Sequence, residues 1–449
     1  MKTKPTKSLF LCLFAFLGTF NYSFSQELMT LDNAISYAWQ NSMTIKNAKL
    51  NQTDADALIK ERKATGLPQV NGTADYQYYF QLPKILLPAA LATDPSTGMT
   101  LPESEREVSF ALRNNLNFGL SANALLFDGS YLTAVKAAKR YRDYVDLELR
   151  QKEKEVSDAV REAYLPPLIL TENIKILEKN ISNIEKLEAE TAALYKEGFV
   201  EQLDVDRLTL SLANLNTQKE NLQKQRETAV NYLKFTMGFP VDEELELSDD
   251  IDALLKDATE EDLTGAVNYK SRPQYQVAQM GAELNELNIE ANRKGYLPSA
   301  AAFASYSYGY QGNKFDDSGF WFPTGIVGLQ LNVPIFDGFD KKAKIQRANI
   351  ALEIARNQTK ELERAITLEV TNARKKYNNA LTIVESQQKN IDLAQRIYDT
   401  TQIKYREGVG SSLEITQAEQ SLFETQQNYT NALYELLVAK AELDKALGR

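Results

Sequence analysis

Histidine is absent from this 449-residue chain, and cysteine occurs once, as Cys12, inside an apolar run near the N-terminus. If that run is removed on export, the mature chain keeps neither residue. Disulfides, thiolate nucleophiles, Cys- or His-liganded metals and histidine-dependent catalytic triads are then excluded by composition. No metal or other cofactor is expected. No pair of carboxylates stands at a spacing that marks catalysis, so the chain is not expected to be an enzyme. Positive charge is in deficit too, with 51 Lys+Arg against 61 Asp+Glu. Nucleic acid, whose phosphates need a basic patch, is therefore not an expected partner. No later apolar run reaches the roughly eighteen residues of a membrane-spanning helix. The remaining route across a membrane is a β-barrel.

The first 25 residues are set apart from the fold. Lys2, Lys4 and Lys7 precede an apolar run from Leu9 to Phe20, and Ser23-Phe24-Ser25 follows. Charged, then apolar, then small is the order of a secretory signal peptide. Cys12 lies within the run rather than at its end, so it is not a lipid-attachment site. Losing three lysines takes the formal net charge from −10 to about −13.

What the remainder contains is stated twice. Gly66-Leu67-Pro68, Leu126-Phe127-Asp128-Gly129 and Tyr195-Lys196-Glu197-Gly198 with Leu203-Asp204-Val205 mark the first half. Tyr296-Leu297-Pro298, Ile335-Phe336-Asp337-Gly338 and Tyr405-Arg406-Glu407-Gly408 with Leu413-Glu414-Ile415 mark the second. The last two landmarks recur after about 210 residues, which indicates a duplicated structural unit. The Leu-Pro landmark recurs about twenty residues later than that, which gives the first half an insertion. The division predicted is repeat 1 over residues 26–237, an acidic connector over 238–262 (Asp242, Glu243, Glu244, Glu246, Asp249, Asp250) and repeat 2 over 263–449.

Between Leu-Pro and Phe-Asp-Gly each half alternates with a period of two. Val70, Gly72, Ala74, Tyr76, Tyr78 and Phe80 interleave with Asn71, Thr73, Asp75 and Gln77, and Leu116, Phe118, Leu120, Ala122 and Ala124 with Asn115, Asn117, Gly119 and Ser121. The second half gives Ala302, Ala304, Tyr306, Tyr308 and Tyr310, then Val327, Leu329, Leu331 and Val333, against Ser305, Ser307, Gly328, Gln330 and Asn332. Each strand thus has an apolar face and a polar or small one. A soluble sandwich would need something to cover the apolar face, and four strands flanked by helix offer nothing. Lipid covers it directly, with tyrosines at the interface. Four strands are fewer than the roughly eight of the smallest spanning barrels, so the barrel must close by oligomerisation. The inserted stretch Gln81–Glu107, with Pro83, Pro88, Pro95 and Pro102, reads as an enlarged loop whose apolar piece Ile85–Ala92 caps the loop or folds over the barrel mouth.

From Gly338 to Glu407 no glycine or proline intervenes. Ile345, Leu352 and Ile366 follow one heptad series; Tyr377, Val384, Ile391, Tyr398 and Tyr405 follow another, offset by four at Ile366 and Val370. That is a coiled-coil stutter in a helix of about 100 Å. A partner helix is predicted after the Glu-Gly turn, with Ser411 and Glu414 as a capping box. The first half matches through Leu132, Val135, Val145, Leu149, Val156, Val160, Ile174, Leu177, Ile181 and Ile184. Pro166-Pro167 should kink or break its long helix. Shorter helical stretches, Leu31–Arg62 and Leu263–Arg293, lead into each Leu-Pro.

In this order and in duplicate, these features resemble the TolC-like outer membrane efflux proteins, the outer membrane factor family, over Leu31 to Leu447. The resemblance implies an α+β membrane protein and a homotrimer. Each chain would give four strands to a twelve-stranded transmembrane barrel, continued by a long antiparallel α-helical barrel through the periplasm, with the connector in an equatorial belt. It implies a passive gated exit duct in the Gram-negative outer membrane, in contact with lipid. Its partners would be a periplasmic adaptor and an inner-membrane pump of a tripartite efflux or type I secretion system. Counting from the tip glycines, the family's gate tyrosine falls on Tyr405, its aspartate partner on Asp204 and the first acidic ring position on Glu414. The assisting arginine is replaced by Gly410 and the second ring aspartate by Gln417. Gly198, Gly408, Leu203 and Leu413 fall at the adaptor-docking tips. A structural or adhesive coiled-coil rod with a β-barrel anchor is the competing reading.

Overall fold

The computed structural model describes residues 28–88, 91–94, 96–100, 102, 107–255, 259–315 and 319–449. The signal segment and parts of the Gln81–Glu107 loop, including Pro95, lie outside them. In chain order the elements are α1 (Leu31–Asn41), α2 (Met43–Ala64), β1 (Gln69–Tyr78), β2 (Ile85–Leu86), β3 (Glu107–Val108), β4 (Asn114–Phe127), α3 (Gly129–Lys196) and α4 (Gln202–Met237). Then follow α5 (Ile251–Leu254), α6 (Glu260–Thr264), a 3-10 turn (Tyr269–Ser271), α7 (Pro273–Lys294), β5 (Ser299–Gly312), β6 (Phe320–Asn332), α8 (Asp340–Arg406) and α9 (Ser412–Leu447).

These residues divide into two compact units that do not follow the division predicted from the sequence. One gathers the described residues of Met1–Ala38, Val160–Lys256 and Lys389–Tyr434, the other those of Trp39–Ala159, Asp257–Gln388 and Glu435–Arg449.

The second unit carries an antiparallel sheet of order β1-β4-β5-β6. Its register aligns the alternation of all four strands. Val70 faces Ala122, Ala122 faces Ala304 and Ala304 faces Val327; likewise Tyr76, Leu116, Tyr310 and Trp321 form one row. One face is therefore continuously apolar. Asn71, Ser121 and Ser305, with Thr73, Gly119, Ser307 and Thr324, lie in rows on the other, which is polar or small except for Phe303 of β5 and Phe320, Phe322 and Ile326 of β6. Val327, Leu329 and Leu331 on the apolar face are strongly exposed, Val327 at 86%. Aromatics gather at one end of that face. Tyr308 stacks on Trp321 at 5.0 Å and Tyr310 on Phe315 at 5.3 Å. The inserted loop is itself folded where described: Ile85 and Leu86 pair with Val108 and Glu107.

Helix packing in this unit is fixed by polar anchors. The Tyr131 hydroxyl donates to the Lys63 carbonyl, and its ring leaves no room for a Cβ at Gly66. Arg272, buried, donates to the Ala446 carbonyl and pairs with Glu369 at 2.9 Å. Both stutter residues, Ile366 and Val370, are buried, as an i, i+4 pair on one face must be.

Several expectations are corrected. Of the kink or break expected at Pro166 and Pro167 the break does not occur, since α3 runs through both. Tyr164, Leu165, Leu168 and Ile169 are buried around them. At about 1.5–3 kcal/mol for each fully buried large side chain, the four together offset the roughly 3 kcal/mol cost of each of the two helical prolines. Leu132, read as a core residue, is exposed. The stretch Leu31–Arg62 is interrupted at Ser42, whose ψ of 130° leaves the helical region. Leu263–Arg293 becomes helix continuously only from Pro273, which sits in the first turn of α7 as its fixed φ favours.

In the first unit, the connector after α4 is more than a solvated acidic run. Gly238 caps α4 in the left-handed conformation at φ 72°. Met29 bridges to Leu247, and the buried Tyr164 hydroxyl donates to the Met29 carbonyl at 2.8 Å. Asp249 accepts from the Leu31 amide at 2.7 Å. Leu245 and Ile251 are buried.

Candidate functional site at the helical tip

Also in the first unit, two helical hairpins end side by side. The turn from α3 to α4 passes through Gly198, and the turn from α8 to α9 through Gly408. Both glycines are left-handed, at φ 81° and 74°. In each turn the glycine N–H donates to a carbonyl three residues back, Tyr195 or Tyr405, and the next N–H reaches five back, to Leu194 or Lys404. This satisfies the last helical carbonyls. The residues after the glycines, Phe199 and Val409, are 76% and 77% exposed, where a C-terminal cap would ordinarily tuck its apolar residue in. Leu203 and Leu413 are exposed as well.

Between the hairpins lies an apolar core: Leu177, Ile181, Ile184 and Leu187 of α3, Leu208 and Leu215 of α4, Ala394, Tyr398 and Tyr405 of α8, and Ile415, Ala418 and Leu422 of α9. Polar links cross it. The Tyr405 and Thr191 hydroxyls share a hydrogen bond of 3.1 Å, both residues buried. The Ser412 hydroxyl donates to Asp204 and accepts from the Arg207 guanidinium at 3.1 Å. Asp204 also accepts from the Glu201 amide at 3.1 Å. Ser211 donates to the buried Glu419 carboxylate at 3.4 Å, and Asn180 to Gln426 at 2.7 Å. At the rim Arg406 pairs with Glu190 at 3.1 Å.

The predicted residues are therefore brought to one place, but not into the predicted bond. Among the described residues Tyr405 and Asp204 are not hydrogen-bonded to each other. Tyr405 is buried and reaches across the core to α3, whereas Asp204 stands in the first turn of α4 beside Ser412. Gly410 carries no cation, and Arg207 of the opposite hairpin brings a guanidinium to the Ser412 hydroxyl. Glu414 is exposed in the first turn of α9, where its amide donates to the capping Ser411 hydroxyl at 3.3 Å. Ser412, Glu419 and Gln426 escaped the sequence reading. The available signal was polarity recurring at heptad spacing inside an apolar stripe.

Electrostatics separate Glu419 from the rest. Burial pushes its carboxyl up to about 7, only partly offset by the Ser211 hydrogen bond. Burial, then the charge of Glu419, pushes the Tyr398 phenol up to about 12. The Tyr398 hydroxyl is buried without a hydrogen-bond partner.

The chain as a whole is similar to known proteins. The family model described as outer membrane efflux protein matches residues 34–238 and 269–449. Outer membrane protein TolC of Escherichia coli (strain K12) is 21% identical over 94% of this chain and 83% of its own length. The probable efflux pump outer membrane protein TtgC of Pseudomonas putida is 24% identical over 61% of this chain and 56% of its own. A crystal structure of CusC superposes with a TM-score of 0.71 at 19% identity, covering 93% of this chain and 91% of that one.

Proposed function

Since this chain belongs to the outer membrane efflux protein family, we propose that it works as a homotrimer whose sheets close one barrel and whose helical tips form its gate. It is an outer-membrane exit duct of an efflux or secretion system, located in the Gram-negative outer membrane and extending into the periplasm. The observation that carries the trimer is the sheet: one face apolar and exposed, one largely polar or small, and, among the described residues, two unpaired edges at β1 and β6. An open edge in lipid leaves backbone groups without partners, at a cost of several kcal/mol each. Joining β6 of one copy to β1 of the next removes both edges, and three copies of four strands give a barrel of twelve. The polar face then lines the lumen and the aromatic end row sits at a membrane interface.

The channel does no chemistry in this reading. Its tips meet a periplasmic adaptor through Gly198, Gly408, Leu203 and Leu413, joined by the exposed Phe199 and Val409, and the adaptor connects to an inner-membrane pump. Asp204, Tyr405 and Glu414 belong to the gate, the first two as parts of the links between hairpins and Glu414 as the acidic ring. Mass measurement in mild detergent, together with single-channel recording in planar bilayers, tests the proposal. A stable monomer with full strand content, or trimers that never conduct, would overturn it in favour of the anchored rod.

A further inference from the structure

Four junctions join helix to sheet at one end of the second unit: α2 to β1, β4 to α3, α7 to β5 and β6 to α8. They touch one another in turn. A Cβ at Gly66 would meet the Tyr131 ring, a Cβ at Gly129 would meet Leu297, and the Lys341 ammonium lies 5.6 Å over the Tyr296 ring. The apolar face of the sheet continues into them, since Phe127 shares a row with Ala300 and Leu331. Leu67, Phe127, Ile335 and Phe336 are exposed there, Ile335 at 94%.

Positive charge begins abruptly at this end. Along their whole length the four strands carry one charged side chain, Asp75, and no cation. Just beyond the junctions stand Arg62 and Lys63 in the last turn of α2, Arg293 and Lys294 in the last turn of α7, and Lys341 and Lys342 in the first turn of α8. Among the described residues Arg62, Lys63, Arg293 and Lys342 are exposed and belong to no ion pair. The neighbouring carboxylates are largely committed. Asp128 accepts from the Tyr131 amide at 2.9 Å, Asp337 holds Lys341 and Asp340 holds Lys344, which leaves Glu61.

Cations at the ends of α2 and α7 suit the helix dipole, and that alone accounts for them. Lys342 is different. It sits at the positive end of the α8 dipole with no carboxylate on it, and so opposes the helix that carries it. An anion held at the belt reverses that penalty.

We propose that this belt binds anionic phospholipid, the exposed apolar side chains meeting the acyl chains and the four unpaired cations meeting the headgroup phosphates. The inference rests on the duct reading, which puts lipid against the apolar face. Continuity with that face and charge complementarity select the occupant. Lys and Arg suit the place, because their stems lie along apolar surface while the charge stays in water.

The test uses mature trimers in phosphatidylcholine vesicles that carry a trace of spin-labelled phosphatidylglycerol or spin-labelled phosphatidylcholine. The fraction of each label immobilised on the protein gives their relative affinity. Phosphatidylglycerol should be preferred about fivefold at low salt, the increment for one basic side chain near an anionic surface. In about 1 M salt, where the screening length falls to about 3 Å, the preference should vanish. Inorganic phosphate at matched ionic strength should displace no more label than chloride does. Specific displacement would make the belt a phosphate site and overturn the lipid assignment.

Arg62→Gln, Lys63→Gln, Arg293→Gln and Lys342→Gln combined should abolish the preference. Lys360→Gln, Lys375→Gln, Lys389→Gln and Lys404→Gln combined, farther along α8, should preserve it. If the first combination yields no trimer, Lys342→Gln alone decides. It should keep or raise Tm in detergent, since it relieves the dipole, and lower the preference about twofold. An undiminished preference in that variant would overturn the belt. Equal immobilisation of the two labels on trimers that conduct would also overturn it and leave the duct standing. A preference retained by trimers that never conduct would instead sink the duct reading and leave the belt.

Discussion

At the scale of single residues, the tip rests on backbone conformation and on a few buried hydroxyls. Gly408 has φ 74° and open space where a Cβ would stand. Replacing it with Val is therefore penalised by conformation rather than by collision, by about 1–2 kcal/mol in the left-handed region. Gly408→Val trimers should show weakened adaptor crosslinking and a lower Tm, and unchanged crosslinking would argue against docking there. Tyr405→Phe strands the buried Thr191 hydroxyl, which should cost about 1–3 kcal/mol. Adding Thr191→Val should recover much of that loss, because both polar partners are then gone. A double-mutant cycle on thermal unfolding measures the recovery, and strict additivity would disprove the pairing. Glu414 is exposed and bonded by nothing across the hairpins, so Glu414→Gln should leave closure intact and lower cation selectivity in bilayers.

Elements show how packing overrules local preference. α3 keeps its helix through Pro166 and Pro167 because four buried side chains around them hold it in place. Pro167→Ala should accordingly raise Tm, restoring a backbone donor without disturbing Tyr164 or Leu168. A fall in Tm would mean that the proline sets a bend which the packing requires. The strands make the opposite case, since there the local pattern and the final environment agree. Val327 on the apolar face and Ser307 on the polar face belong to adjacent, paired strands. Lysine at Val327 should cost about 2–4 kcal/mol if that face meets the bilayer midplane, whereas Ser307→Lys should be tolerated in a wet lumen. Trimer yield in outer-membrane extracts separates the two outcomes, and equal tolerance would mean that neither face touches lipid.

For the whole molecule, the decisive property is that, among the described residues, the β1 and β6 edges are unpaired and Val327, Leu329 and Leu331 are exposed together. Exposed apolar surface of that kind marks an interface with lipid or protein. Denaturation of the strands should therefore coincide with loss of the trimer, giving a transition that depends on protein concentration in detergent. A concentration-independent transition with separately melting strands would count against closure by neighbouring copies.

The sequence by itself determined the order of strands and long helices. Alternation of period two and heptads free of glycine and proline are local signals, and each states which face of an element is apolar without reference to any other element. The left-handed tip glycines were legible for the same reason: a helix end needing positive φ selects glycine wherever it occurs. Tertiary structure decided what no periodicity encodes, namely which side chain meets which across the helices. Tyr405 turned to Thr191, Asp204 to Ser412, and Arg207 to the same Ser412 hydroxyl. Those pairings depend on axial register and on rotamers spanning two hairpins. A heptad pattern specifies an apolar stripe but says nothing about the height at which two stripes meet. Burial of Glu419 belongs to the same class, because a carboxylate at one helical position is a surface group or a proton-sensitive core group according to the neighbour packed over it.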